Sequence, residues 1–174
     1  IRGNRRLKAV IPGGASTAML TAEQIDVKMD YHALLGTGSM LGSGAVIVMD
    51  DRTCMVRAAA VLVRFFEHES CGKCVPCREG TGWLRQVYSR LLAGDGREGD
   101  VELLLDICRK VQGKCFCPLG EGAVQAVLSS IRLFWAEYER CALKRGCGKK
   151  HCKDRTPENK YLVTGSAFHA EFIA

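Results

Sequence analysis

Three cysteines fall within seven residues, Cys71, Cys74 and Cys77, in the run Glu69-Ser70-Cys71-Gly72-Lys73-Cys74-Val75-Pro76-Cys77-Arg78-Glu79-Gly80. Cys-x2-Cys-x2-Cys spacing lets three thiolates converge on one inorganic centre, so the backbone has little freedom there. Gly72 permits the sharp turn between the first two cysteines. Pro76 suits the first turn of a following helix, whose unpaired N–H groups would point at the sulfurs. Lys73 and Arg78 would favour a negatively charged centre. The rest of the chain reads as scaffold for this segment.

Helical periodicity begins after Asp50-Asp51. Met55, Ala59, Leu62, Val63 and Phe66 recur at i, i+4, i+7, i+8 and i+11, the stripe of an amphipathic helix that ends near Glu69. A second helix is expected over 76–92, with Leu84, Val87, Tyr88 and Leu91 as its apolar face. A third, over 100–111, should bury Leu103, Leu104, Ile107 and Val111. A fourth, over 122–143, shows Val124, Val127, Leu128, Ile131, Phe134, Trp135 and Tyr138. Short connections make these an antiparallel four-helix bundle. The cysteine cluster then lies between the first two helices, and Cys117 lies just before the fourth.

Residues 1–51 read differently. A short strand over 8–12 runs into the turn Gly13-Gly14-Ala15-Ser16. A Gly-Gly-x-Ser loop is able to cradle a phosphate, but no Gly-Lys-Ser/Thr completes a P-loop, so a tight turn is expected. Thr21-Ala22-Glu23-Gln24 has the form of a capped helix start. Asp26 to Met29 alternates like a strand, Tyr31 to Leu35 suggests a helical turn, and residues 36–44 form a glycine-dense loop. Ala45-Val46-Ile47-Val48-Met49 is a continuous apolar run, which predicts a buried strand. The loop spacing Gly36-x-Gly38-x-x-x-Gly42 is not a dinucleotide fingerprint, and no long helix follows it. The fold class is therefore α+β.

A 4Fe–4S cluster suits the cysteine run best: three thiolates bind three irons, and a distant cysteine before a proline takes the fourth. Cys108, Cys115 and Cys117 all lie downstream. Cys108 falls mid-helix and reads as a core residue. Cys115 and Cys117 share a loop, and the proline after Cys117 favours it. Zinc would call for two Cys-x2-Cys knuckles or paired histidines. A thioredoxin-like dithiol would need a βαβ setting. A disulfide framework fits a small secreted chain better than ten cysteines clustered and spread between helices. Cys141, Cys147, His151 and Cys152 offer a second metal set, but the three cysteines read better as unpaired thiols.

Net charge is +6, and residues 141–174, with seven Lys/Arg and three Asp/Glu, supply +4 of it. The remaining charge is too even for a nucleic-acid footprint. No apolar run has the length of a membrane span, and no secretory h-region follows the basic start, so a soluble chain cut at its N-terminus is expected.

The cysteine run, together with Phe116-Cys117-Pro118-Leu119-Gly120, closely resembles the NADH-binding flavoprotein subunit of respiratory complex I (the F subunit of NADH–quinone oxidoreductase). Ile11-Pro12-Gly13-Gly14-Ala15-Ser16 and the stretch from Gly38 to Asp50 are similar to that subunit's ubiquitin-like SLBB domain. The resemblance covers residues 5–143. It implies a small β-grasp (SLBB) domain, at 1–51, followed by an all-α four-helix domain, at 52–145, carrying one 4Fe–4S cluster; the polar, basic and unpatterned residues 146–174 read by themselves as a loosely ordered tail. The resemblance carries over Cys71, Cys74, Cys77 and Cys117 as ligands. In the family, FMN reduced by NADH feeds the cluster, and electrons pass on toward quinone. The FMN- and NADH-binding domain precedes the SLBB domain there and has no counterpart here, so this chain alone is not expected to oxidise NADH. The implied partners are the 2Fe–2S and large iron–sulfur subunits of the peripheral arm, with neither nucleic acid nor membrane insertion. The implied location is peripheral to the inner membrane, on its cytoplasmic or matrix side. The diaphorase subunit of NAD-reducing hydrogenase and the β subunit of NAD-dependent formate dehydrogenase share the motifs. Two departures stand out: Cys115 occupies a place where threonine is expected, and the tail does not follow the family ending.

Overall fold

The structure, a computed structural model, describes residue 1 and residues 4–143. The expectations for the tail at 146–174, including Cys147, His151 and Cys152, lie outside the described residues.

Strand β1 (Leu7–Ile11) is the centre of a three-stranded antiparallel sheet. Strand β2 (Leu20–Thr21) pairs on one side, with Ala9 opposite Thr21. Strand β3 (Ile47–Asp50) pairs on the other, with Ile11 opposite Ile47. Thr21 starts a single 3₁₀ turn, Ala22–Gln24, and its N–H donates to the Gln24 side chain at 3.0 Å. A short helix, α1 (Tyr31–Gly36), is capped by Asp30, which accepts from the Ala33 N–H at 2.7 Å.

Two expectations for this part fail. Asp26 to Met29 forms no strand; it lies at the surface with no neighbouring strand to complete its hydrogen bonds. The apolar run 45–49 is not buried on both faces. It ends in the edge strand β3, where Met49 is buried while Val46 and Val48 are exposed. Only one face of the sheet is covered, so side-chain alternation decides which residues are buried. The Gly13–Thr17 segment is a tight turn, as expected. Its polar groups are used internally: Thr17 N–H donates to Gly14 O at 3.0 Å, and Ser43 N–H donates to Gly13 O at 2.9 Å.

Four longer helices follow: α2 (Met55–Glu69), α3 (Val75–Ala93), α4 (Asp100–Val111) and α5 (Leu119–Leu143). α2 packs on α3 and α5, and α4 packs on α3 and α5. The pairs run antiparallel. The start of α2 meets the end of α5 through Met55 and Glu137, and Arg90 of α3 meets Asp100 of α4. Every stripe residue expected of α2 is buried, as are Leu84, Val87, Tyr88 and Leu91 of α3. Leu103 and Trp135 depart from expectation, each 41% exposed. On α4 the buried stripe runs through Val101, Leu104, Cys108 and Val111, which leaves Leu103 at its margin. On α5 the helix breaks at Phe134 (φ −129°, ψ 34°), which resets its phase; Tyr138 and Cys141 stay inside and Trp135 turns out.

The sheet has no separate interior. Ala9, Ile11, Met19 and Met49 pack on Met55, Leu62 and Ala126 of α2 and α5. Polar contacts reinforce this seam. Met19 N–H donates to Ser129 Oγ at 3.1 Å, and Lys8 donates to Thr53 O at 2.7 Å and to Glu137.

Candidate metal centre

Antiparallel packing puts the α2–α3 and α4–α5 junctions at one end of the helices. The first junction carries the cysteine run. α2 stops at Glu69, and Ser70 is extended (φ −64°, ψ 120°). Gly72 takes φ +77°, the left-handed turn expected of it. Cys74 is the N-cap of α3, and its carbonyl accepts the first helical bond from Arg78 N–H at 2.9 Å. Val75, Pro76 and Cys77 make the first turn, so the Val75 and Cys77 N–H groups have no partner within the helix. Thr81 Oγ1 donates to Cys77 O at 2.8 Å and fixes that turn. Arg78 bends back, donating to Gly72 O at 2.8 Å and to Glu79 at 2.8 Å. It braces the loop while keeping its charge beside it.

The second junction is pressed against the first by close helix packing. A Cβ on Gly80 would stand 2.3 Å from Val111 Cγ2, so glycine lets α3 approach the last turn of α4. The chain leaves α4 with Lys114 N–H bonded to Val111 O at 3.2 Å. Phe116 N–H then donates to Cys74 Sγ at 3.2 Å, which joins the two cysteine loops directly. Lys73 Nζ sits 4.6 Å from the centre of the Phe116 ring, and that ring is 85% exposed.

The structure thus brings the run 71–77 and the loop 115–117 together. Cys71 and Cys117 are exposed, Cys74 and Cys115 are half-buried, and Cys77 is buried. Cys115 donates to Val111 O at 3.6 Å and packs against Gly120, where a Cβ would meet its sulfur at 2.6 Å. Burial pushes the Cys115 thiol up, and Cys77, Cys74, Glu121 and Cys117 nearby push it the same way. Cys54, Cys108 and Cys141 belong elsewhere, in the helical core. Burial pushes the Cys108 thiol up to about 12, consistent with a core residue.

Among the described residues, no three His, Cys, Asp or Glu side chains are arranged to hold a metal ion. A single zinc would need its thiolates about 2.3 Å from one point. A cubane takes each thiolate on a different iron and needs them further apart. The donor set suits such a cluster: five sulfurs within two joined loops, of which a cubane needs four, amide N–H groups at the start of α3, and one hydroxyl. That hydroxyl, Ser70 Oγ, lies 3.4 Å from Cys77 Sγ. Ser70, Thr81 and the Phe116 amide are not among the residues that motif spacing singles out. Ser70 and Thr81 stand in or beside the motif, yet spacing says nothing of what a hydroxyl touches, and a backbone amide has no sequence signal.

Residues 57–141 match the family model described as the NADH-ubiquinone oxidoreductase-F iron–sulfur binding region. The chain is 48% identical over 147 residues to the NADH-quinone oxidoreductase F subunit of Mycobacterium bovis, covering 84% of this chain and 33% of that one. It is 46% identical over 143 residues to an NADH-quinone oxidoreductase F subunit of Rhizobium meliloti, covering 82% and 34%. The chain spans about a third of the length of these curated relatives. A crystal structure of NAD⁺-reducing [NiFe]-hydrogenase in the H2-reduced state superposes with a TM-score of 0.70 at 29% identity. That match covers 78% of this chain and 23% of the other.

Proposed function

We propose that this chain, whose residues 57–141 belong to the NADH-ubiquinone oxidoreductase-F iron–sulfur binding region, holds one 4Fe–4S cluster through Cys71, Cys74, Cys77 and Cys117. It works as the electron-transfer segment of an NADH–quinone oxidoreductase flavoprotein subunit. One observation carries the reading: within the matched region, the amide beside Cys117 is bonded to the sulfur of Cys74. When bound, such a cluster supplies one-electron chemistry. The chain's own groups orient and tune it. Cys74 and Cys77 are fixed by the first turn of α3, the start of that helix favours negative charge, and Lys73 and Arg78 add positive charge at the rim.

In the whole subunit, electrons reach this segment from NADH by way of FMN and leave toward quinone. Its partners are the 2Fe–2S and large iron–sulfur subunits, and it sits peripherally on the cytoplasmic or matrix side of the inner membrane. Among the described residues, no helix is long and apolar enough to cross a membrane. The working division is a strand-bearing unit at 1–51, the cluster-bearing helices at 52–145 and a basic tail at 146–174. The hydrogenase likeness favours a second reading, a diaphorase-type subunit. Its 29% identity, against 48% for the Mycobacterium bovis relative, puts it behind.

Chemical analysis of anaerobically purified protein tests the proposal. About four irons with matching acid-labile sulfide per chain, and an EPR signal on reduction, are expected. A colourless protein with one bound zinc would overturn it.

A further inference from the structure

We infer that the Ser70 hydroxyl donates to the Cys77 thiolate and, by stabilising the reduced centre, sets the reduction potential of the cluster. The inference rests on the cluster reading above. Ser70 Oγ accepts from Gly72 N–H at 3.4 Å and lies 3.4 Å from Cys77 Sγ. The Gly72 bond occupies the oxygen as an acceptor and leaves its proton to give. A ligating cysteine is deprotonated, so its sulfur can only accept. The direction of the bond is therefore fixed once Cys77 is a ligand.

Cys77 depends on this donor more than the other cysteines do. Cys71 and Cys117 are exposed, so water supplies donors to their sulfurs. Cys74 has the Phe116 amide at 3.2 Å. Cys77 is only 7% exposed. The other hydroxyl nearby, Thr81 Oγ1, is turned to the carbonyls of Cys77 and Arg78 rather than to sulfur. A donor in a drier setting interacts more strongly with charge. Reduction adds an electron to a site that four thiolates already make negative. The hydroxyl therefore gains more from the reduced than from the oxidised form. Hydrogen bonds to sulfur are among the levers that set such potentials.

The test is an EPR-monitored redox titration of the full chain, loaded anaerobically, for the parent, Ser70→Ala and Ser70→Thr. Ser70→Ala should hold the same iron with a more negative midpoint. The reduction equilibrium should shift roughly tenfold, ~59 mV for one electron. Ser70→Thr, which keeps the hydroxyl, should restore the parent value. A loaded Ser70→Ala with the parent midpoint overturns the inference and leaves the cluster assignment standing. If Ser70→Ala does not load, Ser70→Val against Ser70→Thr carries the test, because the two side chains match in size. A lower midpoint in the valine variant, or loading only with threonine, supports the hydroxyl; equal midpoints overturn it. A parent chain without a four-iron cluster overturns both readings.

Discussion

The two ends of the helical part are built on opposite principles. At the far end, where α2 begins and α3 turns into α4, polar groups answer one another within the protein. Glu137 holds Lys8 and also accepts the Met55 N–H at 3.1 Å, so one carboxylate caps α2 and ties β1 to α5. Asp100, 3% exposed, takes both arms of Arg90 and the Arg97 N–H. Tyr88, Tyr138 and Ser130 form a buried hydroxyl chain at 2.9 and 2.8 Å. At the cysteine end the sulfurs meet few protein groups: Cys77 meets the Ser70 hydroxyl, Cys74 the Phe116 amide and Cys115 the Val111 carbonyl, while Cys71 and Cys117 are exposed. One end answers its polar groups within the protein, and the other gathers thiols on two joined loops. The difference teaches that the helical scaffold is stabilised away from the site it presents.

Breaking the cysteine end should have the largest effect, and it falls on the cluster. Cys117→Ser should lose the four-iron centre or convert it to a three-iron one, whereas Cys115→Ser should keep four. Iron and sulfide analysis with EPR distinguishes them, and the reverse pattern would move the fourth ligand to Cys115. Next comes the far end, where the effect should be on folding alone. Asp100→Asn leaves Arg90 without its ionic partner at a buried place and should cost about 3 kcal/mol, measured as a lowered urea midpoint at neutral pH.

The same carboxylate predicts a pH dependence. Burial alone would raise the Asp100 pKa, but hydrogen bonds from Arg90 and the Arg97 amide, with both positive charges, hold it below the usual carboxylate range. A lowered folded pKa means the unfolded chain binds the proton first. The contribution is therefore full above the unfolded value of about 3.9, and is lost as pH falls through the folded pKa. Acid titration of stability should show this loss in the parent and lack it in Asp100→Asn.

Glu137→Ala removes a cap and strands the Lys8 charge at the seam. It should cost about 2–3 kcal/mol and leave the iron content unchanged. Iron loss in this variant would show that the two ends are coupled. The smallest effect is expected for Tyr88→Phe, which removes one buried hydrogen bond at about 1 kcal/mol, read by thermal or urea denaturation.

The helical half of the molecule is legible in the sequence because each of its signals is local. Met55, Ala59, Leu62, Val63 and Phe66 repeat with the helical period, and a single face of α2 is buried accordingly. The strand-bearing half is less legible. A run such as Ala45–Met49 looks alike whether one face is covered or two, and only the packing of Met49 against α2 and α5 decides. Trp135 escapes the helical pattern for a related reason: a kink at Phe134 is a tertiary event with no proline to announce it.

By itself, the sequence determined that the thiols of Cys71, Cys74 and Cys77 are held close together. Cysteine spacing is covalent, so three thiols within seven residues remain together in any fold. It also determined the α+β class, through period and punctuation. The tertiary structure decided what surrounds the sulfurs. Gly80 admits Val111, the α4–α5 loop comes down on α3, and the Phe116 amide reaches Cys74 across 42 residues of chain. Ser70 faces Cys77 because α2 ends and α3 begins at one turn. Such contacts depend on how separate elements pack, and no local pattern in a chain encodes the distance between them.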